Sequence, residues 1–410
     1  MHDFEFPRLK PLFWLAVLAA LVVAGCGGPE GGVTLELETD YVALYPGETR
    51  TVTLTLTPTG GFGGNVDLEL VEPDGAAAPA WVLLAPGSVS VSGTTTVTLT
   101  LQATTIAPQG VYALRVAAGG ATVAFTLHVV PELGSKWQTQ PPPVSEDFFG
   151  VASGPSNGFL AVGANSRVYF SNDGGNSWID RSIGVSEAMR AAAPVYATTY
   201  LVVGYNRHIW RLYLDSWTGD GVGPGGVGYF YDIAHADGRY VVVGLGGDLY
   251  TSDDSGWTWT ARTSGTTKTL EAVIHDGTRF VAVGDDGVIV ASPDGASWSP
   301  LPGVSVPSLE GIAYGNGTYV AVASDGQILV SKDDANSWTA WDSGAAWLYD
   351  VAYGDGVFVA VGANGVVFTS NDDGAHWTRR VAGSDSIFSV AYGNGRFVAV
   401  GEAGLILISP

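Results

Sequence analysis

The chain has 410 residues, of which 46% are hydrophobic and 14% charged, and its formal net charge is −22 at pH 7. This composition is typical of a globular, β-rich chain of one to three domains and excludes a disordered one. Phosphate binding needs clustered Lys and Arg, so the acidic balance argues against a nucleic-acid partner. The single cysteine excludes a disulfide framework and any cysteine-rich metal site.

The N-terminal segment, residues 1–25, predicts a signal peptide. Arg8 and Lys10 precede an uncharged, mostly apolar run from Pro11 to Gly25. That run is shorter than the ~20 residues of a membrane-spanning helix but typical of a signal-peptide core. It ends in the tetrapeptide VAGC, which resembles a bacterial lipobox and implies cleavage after Gly25 and lipidation of Cys26. The alternative is a short membrane anchor with an incidental cysteine.

Residues 26–32 are rich in glycine and predict a flexible tether. The lipobox resemblance implies a lipid-anchored protein of the bacterial cell envelope, outside the cytoplasm, at the outer membrane or the cell surface. Several acyl chains hold a protein stably at a membrane, whereas one chain holds it only marginally. The membrane, reached through the lipid on Cys26, is therefore one predicted partner.

Residues 33–130 predict an immunoglobulin-like β-sandwich. Runs such as 51–57 and 96–101 alternate Thr with Val or Leu, which is the pattern of half-buried strands, and Gly- or Pro-containing turns separate them. About seven strands in ~100 residues fit such a sandwich. The segment resembles bacterial immunoglobulin-like spacers, and carbohydrate binding through Trp81 is the alternative. A linker, 131–135, follows.

Residues 136–410 contain one unit repeated seven times. Its tryptophans recur every 39 to 42 residues, at positions 137, 178, 217, 259, 298, 338 and 377. Each unit has four short strand patterns and no helical period, which predicts a seven-bladed β-propeller. The predicted fold is thus all-β, a sandwich followed by a propeller.

The two ends of the repeat region complement each other. The last strand pattern, around Ile406, lacks the turn and tryptophan that should follow it, and the strand at Trp137 lacks its three preceding strands. We therefore expect the Trp137 strand to pair with the Ile406 strand and close the last blade, because a closed ring leaves no long unpaired edge.

A turn of the form S-x-D-x-G-x-[ST]-W ends at Trp178 and at Trp259, weaker copies end at Trp298, Trp338 and Trp377, and a decayed copy lies near Trp217. It resembles the Asp-box of the BNR and sialidase-like propellers, where it joins the third and fourth strands away from the ligand face. The carboxylate can accept hydrogen bonds from turn amides, and glycine adopts a positive φ without strain. We interpret its residues as structural and predict no metal site; they are Asp173, Trp178, Asp254, Trp259, Asp294, Trp298, Asp333, Trp338, Asp372 and Trp377.

No catalytic motif is evident in the sequence. The Arg-Ile-Pro tripeptide of sialidases and a His-Glu-x-x-His zinc motif are absent. The pattern Gly-x-Ser-x-Gly occurs once, at residues 154–158, but no helical period follows it, whereas the turn used for nucleophilic catalysis joins a strand to a helix. No catalytic residue or cofactor is therefore predicted. The propeller is more similar to the photosystem II stability and assembly factor family, which implies a non-catalytic, monomeric binding or assembly scaffold for a protein or glycan partner. The alternative is a divergent sialidase-like glycoside hydrolase.

The resemblance places the ligand face at the loops that enter each first strand and at those between second and third strands. Acidic and aromatic residues dominate there, while Arg167, Arg190 and Arg207 make the first two blades more positive. Such a face could focus a cation or a basic peptide. The candidate residues are Arg167, Arg207, Tyr231, Asp232, Glu271, Asp285, Glu310, Asp325, Tyr349, Asp350, Phe388 and Glu402.

Overall fold

The computed structural model describes residues 32–39, 41–44, 49–103, 110–118, 120–129, 134, 136–155, 157–216 and 218–409. The chain divides into two compact units, Met1–Pro131 and Glu132–Pro410. The predicted signal peptide, Cys26 and Trp217 lie outside the described residues. Within those ranges, no helix has both the length and the apolar character needed to cross a membrane.

The first unit is built from two β-sheets around one apolar core. A four-stranded sheet has the order β1-β3-β7-β5, and a five-stranded sheet has the order β2-β9-β8-β4-β6. Leu54 and Leu99 of one sheet and Leu127 of the other are fully buried in the shared core. The strands are β1 Val33–Leu37, β2 Tyr41–Leu44, β3 Thr49–Pro58, β4 Gly64–Val71, β5 Val82–Ala85, β6 Ser88–Val91, β7 Thr95–Ala103, β8 Gly110–Ala118 and β9 Ala121–Val129.

Trp81, the residue considered for carbohydrate binding, is partly buried against this core. Its ring meets Tyr112 edge-on, with 4.7 Å between the ring centroids. Such an edge-to-face pair adds ~0.5–1.5 kcal/mol beyond the area that it buries. The contact gives Trp81 a packing role within the first unit.

The described part of the second unit forms seven four-stranded antiparallel sheets, which we number 1 to 7 in chain order. Strand β10 (Gln138–Gln140) is counted as the fourth strand of sheet 7, whose first strand is β35 (Ile387–Gly393). Short 3₁₀ turns follow the second strand in four of the sheets, at Ala164–Ser166, Leu245–Gly247, Ala363–Gly365 and Glu402–Gly404. The strands of sheets 1 to 3 are β11 Phe148–Ser153, β12 Phe159–Gly163, β13 Val168–Ser171 and β14 Ile179–Asp180; β15 Met189–Tyr196, β16 Thr199–Gly204, β17 Ile209–Tyr213 and β18 Thr218–Gly221; and β19 Phe230–Ala236, β20 Arg239–Gly244, β21 Leu249–Ser252 and β22 Thr260–Ala261.

The strands of sheets 4 to 7 continue the same pattern. They are β23 Leu270–His275, β24 Phe280–Gly284, β25 Ile289–Ser292 and β26 Ser299–Pro300; β27 Leu309–Gly315, β28 Thr318–Ala323, β29 Gln327–Ser331 and β30 Thr339–Asp342; β31 Leu348–Gly354, β32 Val357–Gly362, β33 Val366–Ser370 and β34 Thr378–Val381; and β35 Ile387–Gly393, β36 Arg396–Gly401 and β37 Ile406–Ser409, joined by β10 Gln138–Gln140.

Burial varies systematically across each sheet. The second strand is buried along its length, apart from the arginines that begin β20 and β36. Continuous runs such as Phe358-Val359-Ala360-Val361 fit this position, because a strand covered on both faces does not need alternation. The fourth strands are mostly exposed. The buried apolar surface of each sheet is therefore concentrated in the middle of the sheet and not at its fourth strand.

The first strands of successive sheets pack side by side, and the first strand of sheet 1 contacts those of sheets 2 and 7. Strand β10 pairs antiparallel with β37, so that Gln138 lies opposite Ile408 and Gln140 opposite Ile406. Sheet 7 therefore combines one strand from the start of the second unit with three from its end. Trp137 packs against the apolar cluster that includes Leu407.

The recurring turns are held by their own carboxylates. Asp173 accepts hydrogen bonds from Ser171 Oγ at 2.8 Å, from Ser177 N–H at 2.9 Å and from Ser177 Oγ at 2.6 Å. Burial alone would raise the pKa of Asp173, but these hydrogen bonds lower it below the ordinary value. Trp178 Nε1 donates to Gly175 O at 2.9 Å. The carboxylate and the indole thus both stabilise the turn.

Four further turns repeat the carboxylate contacts, at Asp254, Asp294, Asp333 and Asp372. The hydrogen bond from the tryptophan indole to the backbone is missing in one of them. Ala335 replaces the turn glycine there, and the indole N–H of Trp338 has no hydrogen-bond partner among the described residues. The turn nevertheless keeps its shape, since Ala335 N–H donates to Ser331 Oγ at 3.1 Å.

Candidate functional site

The first strand of every one of the seven described sheets has a β-bulge at its second residue. In sheet 1 the register with β12 passes from Phe148 to Gly150, and the same shift recurs in the other six sheets. A bulge leaves one residue out of the ladder and redirects its side chain. The seven bulge residues are Phe149, Arg190, Tyr231, Glu271, Glu310, Tyr349 and Phe388.

The residue before each bulge is a large apolar one that fixes the strand in the core. Phe148, Leu270 and Ile387 are examples, and each is fully buried. Because that side chain points into the packed layer, the bulge residue next to it is free to face the centre of the unit. One side chain from each sheet is thereby positioned at an equivalent point.

All seven bulge residues line a single pocket of about 390 Å³. Small residues such as Gly150, Ala191 and Ala272 also line it and keep it open. The pocket lies where the first strands begin. In a four-stranded antiparallel sheet, the turn between the third and fourth strands lies at the opposite end. The pocket is therefore remote from the recurring aspartate turns.

One side of the pocket is an aromatic arc formed by sheets 6, 7 and 1. The rings of Trp347 and Tyr349 stack with 5.8 Å between centroids and an angle of 22° between planes. Tyr349 meets Phe388 edge-on at 5.2 Å, and Phe388 lies 6.0 Å from Phe149. Aromatic arcs of this kind offer apolar contact area and negative ring faces that attract cations.

Arg190 supplies the positive charge of the pocket. Its guanidinium carbon lies 4.8 Å from the centroid of Phe149, 5.6 Å from that of Tyr231 and 5.7 Å from that of Tyr205. The Nε atom is buried and has no hydrogen-bond partner among the described residues. The guanidinium is thus held by ring faces.

Glu271 and Glu310 form the acidic side. Burial, assisted by the charges of Glu310 and Asp285 and opposed by that of Arg190, raises the pKa of Glu271 to about 7. Burial also raises the pKa of Glu310. Within the described residues, the Glu271 carboxylate accepts no hydrogen bond. A carboxylate that is removed from water without a partner is costly, so this position favours a bound cation or a proton.

Asp232 and Asp350 line the pocket but are engaged in joining neighbouring sheets. Asp232 accepts hydrogen bonds from the N–H groups of Ile233 and Val273, each at 2.8 Å. Val273 belongs to sheet 4, so this carboxylate bridges sheets 3 and 4. Burial raises the pKa of Asp232 to about 6, although the two N–H donors act against this shift.

Asp350 makes the equivalent bridge between sheets 6 and 7. Ser389 Oγ and Val390 N–H both donate to it at 2.9 Å. Ser389 Oγ also accepts from the N–H of Val151 at 3.2 Å, which extends the chain of bonds to sheet 1. Burial raises the pKa of Asp350 to about 7. These two aspartates act mainly in positioning the first strands.

The structure brings together seven of the twelve candidate residues from the sequence. The pocket is lined by Tyr231, Asp232, Glu271, Glu310, Tyr349, Asp350 and Phe388. The other five lie outside the lining. Asp285 influences the pocket only through its charge, Asp325 accepts from Gln327 Nε2 at 2.8 Å, and Glu402 accepts from Ser386 N–H at 3.2 Å.

Arg167 and Arg207 do not contribute to the pocket as the sequence suggested. Arg167 forms an ion pair with Glu146 at 2.6 Å, and Arg207 forms one with Asp248 at 2.5 Å. The carboxylates that neutralise the charges of these two arginines lie 21 and 41 positions away in the sequence. Of the arginines expected to make this region positive, Arg190 lines the pocket.

Two aromatic residues of the lining were not among the sequence candidates. Phe149 occupies the repeat position of Tyr231 and Glu271, so the period of 39 to 42 residues could have identified it. Trp347 lies two residues before the bulge of sheet 6, at a position that is Thr or Ser in neighbouring repeats. No repeat signal distinguishes it, and only the structure places it beside Tyr349.

The described residues contain no group of three or more His, Cys, Asp or Glu arranged to hold a metal ion. The pocket offers aromatic faces, one guanidinium and four carboxyl groups of raised pKa. It can bind a ligand that carries positive charge and apolar surface.

Seven antiparallel sheets with their first strands side by side define a β-propeller. The solved structures agree: residues of this chain superpose on the WD40 β-propeller domain of Doa1 with a TM-score of 0.58 and 13% identity, over 67% of this chain and 96% of that one. Residues 231–407 match the family described as Photosynthesis system II assembly factor YCF48. A comparison with curated protein sequences finds no match.

Two structures of that family are also similar to the chain. A structure described as YCF48 bound to D1 peptide has a TM-score of 0.57 and 17% identity, covering 67% of this chain and 96% of that one. YCF48 from Cyanidioschyzon merolae has a TM-score of 0.54 and 18% identity, covering 67% and 98%. At these identities the likeness shows the fold alone.

Proposed function

We propose that the propeller is a non-catalytic scaffold that binds a protein partner through the pocket formed by the bulge residues. The observation that carries this proposal is the convergence of seven bulge side chains, one from each sheet, on one pocket of mixed aromatic, cationic and acidic character. Two findings support it: the family matched by residues 231–407 is described as an assembly factor, and one similar propeller is bound to a peptide.

The proposal includes a place for this scaffold in the cell. The apolar run before Cys26 and the lipobox-like VAGC support a lipoprotein held at the bacterial cell envelope. The first unit then acts as an immunoglobulin-like spacer between the anchor and the propeller.

We further propose that the seven sheets are the blades of a closed ring built on Asp-box turns. The pairing of β10 with β37 and the contact between the first strands of sheets 1 and 7 support this arrangement. Closure matters for function because it fixes the seven bulge residues relative to one another. A preorganised pocket loses less conformational entropy when it binds.

A display library of random hexapeptides tests the binding role. Peptides selected on the full chain should lose binding to a Tyr349→Ala/Phe388→Ala variant and keep it with Trp257→Ala. Trp257 is a matched aromatic control, because it is 51% exposed and lies in a turn at the other end of its sheet. The proposal is contradicted if both variants lose peptide binding equally. It is also contradicted if neither variant affects the binding of the selected peptides.

Glycoside hydrolysis is the second candidate, and one observation favours it. Glu271, with a pKa raised to about 7, lies beside a second glutamate, and glycosidases use such carboxyl pairs with one member as an acid. Screening chromogenic glycosides with the full chain and with Glu271→Gln separates the two functions. Turnover that Glu271→Gln abolishes supports hydrolysis and overturns the non-catalytic role.

A further inference from the structure

The charges of the pocket are not balanced. Its lining contains four carboxyl groups and one guanidinium, and the whole chain has a net charge of −22. Two of the carboxyl groups, Asp232 and Asp350, accept backbone N–H bonds and are satisfied where they are. Glu271 and Glu310 remain as the acidic pair that faces the pocket. This excess of carboxyl groups is offset either by protons or by a positive charge from outside the chain.

The walls beside the acidic pair suit an organic cation with an apolar stem. Trp347 and Tyr349 belong to sheet 6, which follows sheet 5 and its Glu310 in the chain. The two rings stack on each other, and Trp347 is 41% exposed. Lysine and arginine bury their methylene stems along apolar surface while their charged ends reach polar groups. A ring face also attracts an ammonium or guanidinium group directly.

Arg190 sets the direction in which such a group can enter. It lies in sheet 2, with its guanidinium against the rings of Phe149 and Tyr231. Its charge also acts on the acidic pair, because it lowers the pKa of both Glu271 and Glu310. A basic group of the ligand is therefore repelled beside Arg190 and attracted beside the two glutamates.

We propose that the pocket recognises a Lys or Arg side chain of the protein partner, with its charged end between Glu271 and Glu310 and its stem along Trp347 and Tyr349. This inference rests on the proposed function and specifies the chemistry of the partner. The negative charge of the whole chain assists it, because an acidic protein attracts basic segments at long range. The partner's exposed segment should therefore be basic at one position and apolar beside it.

Synthetic peptides from the hexapeptide selection provide the test. Peptides that depend on Tyr349 and Phe388 should contain Lys or Arg well above their frequency in the unselected library. Replacing that residue by norleucine should weaken binding at least 10-fold, and Glu271→Gln/Glu310→Gln should do the same. In the double variant, the norleucine peptide should bind about as well as the lysine peptide, which isolates the pairwise effect from any change in folding.

Asp220→Asn/Asp342→Asn is the matched control, because it removes the same charge from two exposed sites and should leave binding unchanged. Equal weakening by the control assigns the effect to overall charge and overturns the inference. Pocket-dependent peptides without a basic residue also overturn it, while leaving the binding role intact. If no selected peptide depends on the pocket, both proposals are wrong.

Discussion

The backbone N–H of Gly134 donates a 2.6 Å hydrogen bond to the side-chain oxygen of Ser409, across 275 positions of sequence. In an uninterrupted turn the same bond joins Gly175 to Ser171 at 2.8 Å. Trp137 Nε1 donates to Gly134 O at 3.0 Å, which is the indole contact of the other turns. One recurring turn is therefore divided: its serine comes from the end of the second unit, and its glycine and tryptophan come from the beginning.

The divided turn predicts a stability effect at Ser409. Ser409→Ala leaves the buried N–H of Gly134 without an acceptor, so the free energy of unfolding should fall by about 1–3 kcal/mol. Urea unfolding followed by tryptophan fluorescence measures the change. Ser384→Ala, which alters an exposed serine, should have little effect. Deletion of residues 134–140 also removes strand β10 and should lower the melting temperature further. An unchanged unfolding midpoint in both changes contradicts the role of this turn.

The bridges between neighbouring first strands predict a second effect. Asp350→Ala removes the acceptor for Val390 N–H and Ser389 Oγ, and it leaves a void beside the pocket. We expect a loss of about 2–4 kcal/mol in the free energy of unfolding, because buried donors lose their partners. Asp385→Ala, at an exposed loop, is the control. Equal stability of the two variants in urea unfolding contradicts the bridging role.

Glu271 predicts a pH dependence with a defined sign. Its folded-state pKa of about 7 exceeds the ordinary value of 4.5, so the folded chain binds more protons than the unfolded chain between these values. Stability should therefore fall as pH rises from about 4.5 to about 7. Glu271→Gln should reduce this fall by on the order of 2 kcal/mol, whereas Asp232 and Asp350 retain a contribution of the same sign. Melting temperatures across this range that are identical in the two proteins contradict the raised pKa.

The neighbours of Glu271 predict how its pKa responds to substitution. Glu310→Gln removes a negative charge and should lower the pKa of Glu271, while Arg190→Gln removes a positive charge and should raise it. Carbon-13 NMR of the Glu271 carboxyl carbon reports each midpoint. An unchanged midpoint in both variants places these charges away from Glu271, and a shift in the opposite direction contradicts their assigned effects.

Mass spectrometry tests the proposed lipid anchor at the N-terminus. The mature chain from bacterial membranes should begin at Cys26 and carry the mass of attached acyl chains. Cys26→Ser should lose the lipid and leave the membrane fraction, because the chain has no other cysteine. A wild-type chain that retains residues 1–25 without lipid contradicts lipoprotein processing.

The sequence predicted the parts of the fold that repeat with a period. Tryptophan spacing indicated the repeated four-stranded unit. Residues such as Tyr231, Glu271 and Tyr349 were assigned to one face because the resemblance to Asp-box propellers places the ligand face where the chain enters each first strand. The bulge at these residues was not predictable, since a register shift depends on how two strands pair. The ion pairs of Arg167 and Arg207 were missed for a similar reason, because their partners lie far away in sequence.

Site-specific photo-crosslinking tests the central claim most directly. The full chain carries p-benzoylphenylalanine in place of Tyr349, inside the pocket, or in place of Trp257, at the opposite end of sheet 3, and it is irradiated in bacterial cells that produce it. We predict a discrete protein adduct from position 349 that Glu271→Gln/Glu310→Gln weakens, and no such adduct from position 257. An adduct formed equally from both positions, or only from position 257, contradicts recognition of a protein partner by the pocket.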